Sequence, residues 1–356
     1  MKYAIIFGTR PEIIKLYSTI KHCIDNNLEY ITIHSNQHYD PNMDTIFFDQ
    51  LSLPQPTYNL NIGSGKHGDM TGRMLIKIEE ILINEKVDLV FVQGDTNTVM
   101  AGALAASKLG IKVAHIEAGL RSYDRTMPEE VNRIITDHIS DYLFPPTNRQ
   151  VEILKGEGLT KGVCKVGNTV VDVVYKFKDN LKTISNILEK HSLKENQYII
   201  LTCHRPSNTD NDIKFKSILE SIDNICKENN WTCIFPAHPR LKTKHDLIGK
   251  YTNIKVIEPV GFFDSLTLQN YSAMIFTDSG GIQEESCILG KKCVILRTNT
   301  ERPETVEAGG AILCNDINVE EITKSFNTVK KLDTKWSNPF GDGHSAEYIF
   351  DFIEKN

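Results

Sequence analysis

The chain has 356 residues, of which 40% are apolar and 24% charged, with 40 basic against 46 acidic side chains for a formal charge of −6. At about 150 residues per domain this is enough for two domains or one large one, and the composition excludes a disordered, collagen-like or membrane-embedded chain. A net acidic surface repels nucleic acid and anionic lipid, so neither is expected as a partner, while a local cationic pocket for a small anion stays open.

The N-terminal apolar run, Tyr3 to Phe7, is shorter than the ~7–15 residues of a signal-peptide core, and no run approaches the ~20 of a membrane span. None of the eight cysteines forms a C-x-x-C pair, and several lie inside apolar runs, as free buried thiols in a reducing compartment do. The expectation is a soluble, cytoplasmic protein. In the first half, short Ile/Val-rich runs predict strands near 3–7, 29–34, 88–92, 112–116, 142–144 and 163–166. In the second half they predict strands near 198–203, 232–236, 254–258, 273–277, 293–297 and 311–314. Runs such as Ala4-Ile-Ile-Phe7 and Ala273-Met-Ile-Phe276 are nearly continuous apolar, as in parallel strands buried on both faces. Alternation with amphipathic stretches predicts an α/β fold of two Rossmann-like doubly wound domains facing a central cleft. The expected division is 1–166 with a C-terminal helix 343–356, and 167–342; Ala346, Ile349, Phe350 and Ile353 give that helix its apolar stripe.

In open α/β sheets ligands bind beyond the carboxyl ends of the strands, so the residues following each strand carry the functional reading. After the first strand, Gly8-Thr9-Arg10-Pro11-Glu12 has Thr9 and Glu12 at capping-box spacing and Pro11 in a first helical turn. Arg10 at that helix start opposes the helix dipole, a conflict that a bound anion would resolve. Gln37-His38-Tyr39-Asp40 follows the second strand as a dense polar cluster, although loops are polar in any case. Asp95 follows the third, where the alternative is a helix cap. Glu117 follows the fourth, in His115-Ile116-Glu117-Ala118-Gly119-Leu120-Arg121. Glu129, in Pro128-Glu129-Glu130-Val131-Asn132-Arg133, is either a third site acid or an i, i+4 partner of Arg133. Together Asp95, Glu117 and Glu129 converge on one sheet rim, where their environments can separate acid from base roles. In the second half, Asp278-Ser279-Gly280-Gly281-Ile282-Gln283-Glu284-Glu285 runs from a strand into a helix, an arrangement suited to phosphate, with Glu285 one turn on for a ribose. The alternative is a glycine turn capped by Ser279. His204-Arg205, His238 and Arg302 add cationic donors.

Gly63-Ser64-Gly65-Lys66-His67-Gly68 matches G-x-G-x-x-G, but it follows Pro54 and Pro56 without a convincing strand, and it reads as a mobile loop. His115-Ile116-Glu117 lacks the P-C-x-x-C partner of a zinc deaminase. No cofactor, metal or nicotinamide site is expected.

The ordered motifs Gly8-Thr-Arg-Pro-Glu-Ile-Ile-Lys15, Gln37-His38, Gly94-Asp-Thr96, His115–Arg121, Pro128–Arg133, Gly167-Asn-Thr-Val-Val-Asp172, His204-Arg205, Asp278–Glu285, Thr300-Glu-Arg-Pro-Glu304 and Asn338-Pro-Phe-Gly-Asp-Gly343 resemble those of the non-hydrolysing UDP-N-acetylglucosamine 2-epimerase family, over essentially the full chain. The resemblance implies a glycosyltransferase-B-like homodimer that interconverts UDP-N-acetylglucosamine and UDP-N-acetylmannosamine by eliminating and re-adding UDP. It implies catalytic roles for Asp95, Glu117, Glu129 and His204. Arg10, Ser279, Gly280, Gly281 and Glu285 are implied to hold UDP, and Lys15, His38, Arg133, His238 and Arg302 are expected to bind substrate with them. Related 2-epimerases act on UDP-linked diacetamido-uronic acids or 6-deoxy amino sugars, and hydrolysing ones release N-acetylmannosamine; these are the alternatives. Bacterial relatives carry His-Arg-Arg-Glu-Asn where this chain has His204-Arg205-Pro206-Ser207-Asn208. That region helps form a regulatory sugar-nucleotide site in them, so at this departure the resemblance does not by itself imply the same regulation.

Overall fold

The computed structural model describes residues 1–36, 48–237, 239–333 and 335–356. They form two compact units, Met1–Val173 with Phe340–Asn356, and Val174–Pro339.

The sheet of the first unit comprises β1 (Lys2–Phe7), β2 (Glu29–His34), β3 (Tyr58–Asn59), β4 (Leu89–Gln93), β5 (Lys112–Ile116) and β6 (Tyr142–Phe144). Their order is β3-β2-β1-β4-β5-β6, and every pairing is parallel. The connecting helices are α1 (Arg10–Asp25), α2 (His67–Glu85), α3 (Asn97–Lys108) and α4 (Pro128–Ile139), with α5 (Asn148–Gly156) and α6 (Thr169–Phe177) after the last strand. Residues Ala4, Ile6, Ile33, Val90 and Val92 of the sheet pack against Met74, Ile78 and Leu82 of α2 and a run of alanines on α3. The small α3 side chains allow close helix-to-sheet approach: a Cβ on Gly102 would lie 3.1 Å from Ile6 Cδ1.

The second unit repeats this plan. Its strands are β7 (Tyr198–Thr202), β8 (Thr232–Pro236), β9 (Ile254–Ile257), β10 (Met274–Thr277), β11 (Cys293–Ile295) and β12 (Ala311–Leu313), in the order β12-β11-β10-β7-β8-β9, again all parallel. Helices α7 (Asp212–Asn229), α8 (Phe262–Tyr271), α9 (Gly280–Ile288) and α10 (Val319–Lys331) cover it. Phe215, Ile218, Leu219 and Ile222 of α7 and Phe326 of α10 close one face of its core.

The last helix, α11 (Ser345–Lys355), belongs to the first unit. Its predicted stripe is buried, and Phe350 stacks on His22 at 4.2 Å and meets Tyr3 edge-on at 5.5 Å. Buried Asp172 of α6 accepts the backbone N–H groups of Ser345 and Ala346, capping α11 at 3.2 and 3.1 Å.

Two expectations change. The run 163–166 is not a strand; only an isolated bridge joins Val163 to Leu143. The sixth strand of the first sheet is instead Tyr58–Asn59, two residues too short to show as a periodic pattern. It precedes the glycine-rich run, whose end forms the first turn of α2 rather than a loop. That turn is not the first strand–helix connection, the context in which a G-x-G-x-x-G run binds a dinucleotide.

Candidate active site

In both units the order of connection reverses between the first and fourth strands, at β1/β4 and at β7/β10. Such a reversal sends adjacent crossovers to opposite faces and leaves a crevice beyond the strand ends, where ligands bind. The strand-end residues of the sequence reading lie at these two places.

In the first unit, Arg10 is the first residue of α1 and is half-buried. Gly8 sits so close to the neighbouring turns that a Cβ there would lie 2.2 Å from Thr98 Oγ1. Glu12 does more than cap its helix. Its Oε2 accepts the N–H groups of Gly8 at 2.5 Å and Thr9 at 2.9 Å, and its Oε1 accepts the Thr96 hydroxyl at 2.5 Å. A single buried carboxyl thus ties the turn after β1 to the turn after β4. Burial pushes Glu12 up to about 7; the three donors pull against that, and the Asp95 charge adds to it.

Asp95 does not cap α3, because Thr96 is the cap and accepts from Val99 N. Asp95 Oδ2 instead meets Arg133 Nη2 at 2.5 Å, and its backbone carbonyl accepts Asn132 Nδ2 at 2.9 Å. The alternative offered for Glu129, an i, i+4 pair with Arg133, does not form. Arg133 Nη1 goes to buried Glu130 at 3.0 Å, and Glu129 is exposed, with no ion pair among the described residues. Glu130 also accepts the N–H groups of Ser122 and Tyr123, fixing the loop that leads into α4.

β4 and β5 are neighbours, with Gln93 opposite Ile116. Asp95 and Glu117 therefore leave adjacent strands two residues and one residue beyond a paired position. Glu117 is 7% exposed; Lys15 Nζ approaches its Oε2 at 2.6 Å, and Gln93 Nε2 donates to the same oxygen. Glu117 adopts φ +71°, a left-handed conformation costing a non-glycine residue on the order of 1–3 kcal/mol. Its N–H to Phe144 O and the two side-chain donors hold it there. Two residues on, Gly119 at φ +81° lies against α5, where a Cβ would be 2.7 Å from Gln150 O.

In the second unit β7 and β10 are paired through Thr202 and Thr277, and His204 and Asp278 follow them. Fully buried Asp278 accepts the N–H groups of His204 and Arg205 and the Asn208 amide, and it meets His204 Nδ1 at 3.0 Å. Burial alone would raise the Asp278 carboxyl; its hydrogen bonds and the His204 ring outweigh this and hold it below the ordinary carboxylate range. The His204 side chain is 46% exposed, so the ring is fixed at one nitrogen and open at the other edge.

Ser279 precedes α9 but makes no side-chain cap bond. Gly280 and Gly281 open the helix with nothing within 4 Å of where a Cβ would stand. No packing demand explains these two glycines, and open space around helix-start N–H groups suits an anion. Glu285 accepts from Gln269 Nε2 at 2.5 Å, and Arg302 Nε donates to Glu284 at 2.5 Å. His38 and His238 lie outside the described residues. Gln93, Asn132 and Glu130 were missed as site residues. The available signal was a polar residue at the end of a buried strand for Gln93 and the density of polar residues in 128–133 for the others.

A sequence model described as UDP-N-acetylglucosamine 2-epimerase matches residues 21–354. The chain is 49% identical over 362 residues to the UDP-N-acetylglucosamine 2-epimerase of Methanocaldococcus jannaschii, covering 98% of each. The chain belongs to the UDP-N-acetylglucosamine 2-epimerase family. It is an isomerase of the 2-epimerase class with a glycosyltransferase-B-like fold. The crystal structure of the Methanocaldococcus jannaschii enzyme in complex with UDP-GlcNAc and UDP superposes with a TM-score of 0.88 over 100% of both chains, at 47% identity. A further relative, the UDP-2,3-diacetamido-2,3-dideoxy-D-glucuronate 2-epimerase of Pseudomonas aeruginosa, is 39% identical over 362 residues and all of both chains.

Glu12 makes the stability of this epimerase depend on pH. Its carboxyl titrates at about 7 in the folded chain against an ordinary 4.5. Between those values the folded state holds a proton that the unfolded state releases, so stability falls as pH rises from about 4.5 to about 7. The full effect is on the order of 3 kcal/mol. Glu12→Gln, which keeps an acceptor for the N–H groups, removes this dependence. Calorimetric melting at pH 5 and pH 7.5 should show the variant gaining on the wild type at the higher pH; a difference independent of pH would contradict the buried, protonated Glu12.

Proposed function

We propose that the chain interconverts UDP-N-acetylglucosamine and UDP-N-acetylmannosamine without hydrolysis. The C2 proton of this sugar is not adjacent to a carbonyl, so direct abstraction is unfavourable. Elimination avoids the difficulty. A base removes the C2 proton as the C1–O bond breaks, and the bond pair leaves with the β-phosphate oxygen of UDP. A C1=C2 glucal-type intermediate remains. Proton delivery to the other face of C2 and return of the UDP oxygen to C1 complete the inversion, with no net oxidation.

The step needs an acid, a base and a cationic clamp on the leaving phosphate. Asp95, Glu117 and Glu129 are the proton-transfer candidates; Arg10, His204 and the Ser279-Gly280-Gly281 turn are the clamp, with Glu285 on the ribose. Lys15, Arg133 and Arg302 pair with Glu117, Asp95 and Glu284 and, with His38 and His238, remain substrate-binding candidates. The observation that carries the reading is the pair of acids at adjacent strand ends, Asp95 and Glu117, each held by a cation at 2.5–2.6 Å. The greater identity to the N-acetylglucosamine enzyme than to the diacetamido-glucuronate enzyme favours the former substrate.

The active form is proposed to be a homodimer. Ile76 and Ile83 are exposed two turns apart on α2, an apolar pair that a second copy could cover. Eight free cysteines, seven of them buried, support a reducing, cytoplasmic setting, and the product would feed surface glycan synthesis.

Proton NMR of the protein with UDP-N-acetylglucosamine in D₂O tests substrate and outcome together. UDP-N-acetylmannosamine signals should grow in with loss of the H2 resonance. Free N-acetylmannosamine accumulating with turnover would instead establish hydrolysis, and turnover of only the diacetamido-uronate would establish the other sugar.

Amide replacement tests the acids. Asp95→Asn, Glu117→Gln and Glu129→Gln should each lower turnover by about 10²–10⁴-fold while UDP still binds. Near-normal turnover in all three, with only lowered melting temperatures, would reduce these acids to structural roles.

A further inference from the structure

We propose that His115 is a positioning residue that sets the Asp95 and Glu117 turns against each other; this rests on the proton-transfer roles proposed for those two acids. The β4–β5 ladder ends where Gly94 N donates to Ile116 O at 3.1 Å. Beyond that rung no strand pairing relates the two turns. His115, on β5 and fully buried, bridges the gap. Its Nε2 lies 2.8 Å from the carbonyl of Gly94, the residue before Asp95. Its Nδ1 lies 2.7 Å from Asp137 Oδ1 on α4. The other oxygen of Asp137 accepts the N–H of Gly119, two residues past Glu117, at 3.1 Å, and meets Arg121 at 2.7 Å.

One imidazole therefore fixes the approach to Asp95 directly and the exit from Glu117 through Asp137. The turns are poor at holding themselves: Gly94, Glu117 and Gly119 all have φ between +71° and +83°. The glycines adopt this region freely and leave their turns loose, while non-glycine Glu117 persists there only because its surroundings over-determine it. A carbonyl only accepts, so Nε2 must donate to Gly94, and Nδ1 faces a carboxylate. The ring is thus held rigidly at both nitrogens and is buried away from solvent, which suits it to orient other groups and not to transfer a proton itself.

Substitution separates the two bonds. Asn at 115 places its amide near the Nδ1 position and Gln near the Nε2 position. His115→Asn keeps the Asp137 contact and loses the Gly94 contact; its kcat should fall about 10- to 100-fold, since a displacement of about 1 Å costs that much. KM for UDP-N-acetylglucosamine and the Kd of UDP by calorimetry should stay within about twofold. His115→Gln should recover part of the lost kcat by restoring the donor to Gly94. Should His115→Asn not fold, Asp137→Asn, which weakens the link from His115 to the Gly119 N–H, tests the other arm by the same kcat-against-Kd comparison. A kcat within twofold of wild type in folded His115→Asn, or in Asp137→Asn where His115→Asn does not fold, or an equal loss of UDP affinity, overturns the proposal. If Asp95→Asn and Glu117→Gln themselves keep normal turnover, the catalytic reading falls; if they lose it while the His115 variants do not, only the positioning role falls.

Discussion

Every strand in both sheets runs parallel to its neighbours, and this constraint organises everything else. A parallel sheet delivers all its strand ends to one edge, and a strand order that reverses between the first and fourth strands opens a crevice there. The chain exploits the same position twice. In the first unit it receives Gly8 to Glu12 and Gly94 to Thr96; in the second it receives His204-Arg205 and Asp278 to Gly281. Loops at such an edge are free to carry chemistry because the apolar strands beneath them carry stability.

The edge is nonetheless expensive to build. Glu12, Glu117, Glu130, Asp137 and Asp278 are all buried, and a buried carboxylate is strongly unfavourable unless donors satisfy it. Each of them faces two or more donors, mostly backbone N–H groups of the turns or cations from the next helix. The acids therefore work as fasteners for turns whose backbone is left-handed or glycine-dependent. Asp137 illustrates the balance: burial raises its carboxyl, but His115 and Arg121 outweigh that and hold it low.

Much of this was legible in the residues, for physical reasons. Apolar runs such as Val87-Asp-Leu-Val-Phe-Val92 mark buried parallel strands, and strand ends mark where to look for Asp95, Glu117, His204 and Asp278. The two-residue strand at Tyr58 leaves no periodicity to detect, and 163–166 has the apolar character of a strand without a ladder to join. Partner choice was the least readable layer. Spacing offered Glu129 to Arg133, yet the burial of Glu130 one residue later, against the loop at Ser122, decided the pair. Glu12 looked like a complete helix cap, and nothing local reveals that its second oxygen reaches Thr96, 84 residues away. His115 reads as a failed zinc motif, because the partner of its ring, Asp137, lies on a helix 22 residues further along.

The proposed inversion at C2 proceeds through departure of UDP. It is tested most directly with UDP-N-acetylglucosamine carrying ¹⁸O in the oxygen that joins C1 to the β-phosphate. If UDP leaves and returns, rotation of the free β-phosphate before re-addition moves the label into non-bridging positions, visible as isotope-shifted phosphorus resonances that accompany epimerisation. Inversion at C2 with the label retained in the bridge through many turnovers would contradict the elimination account.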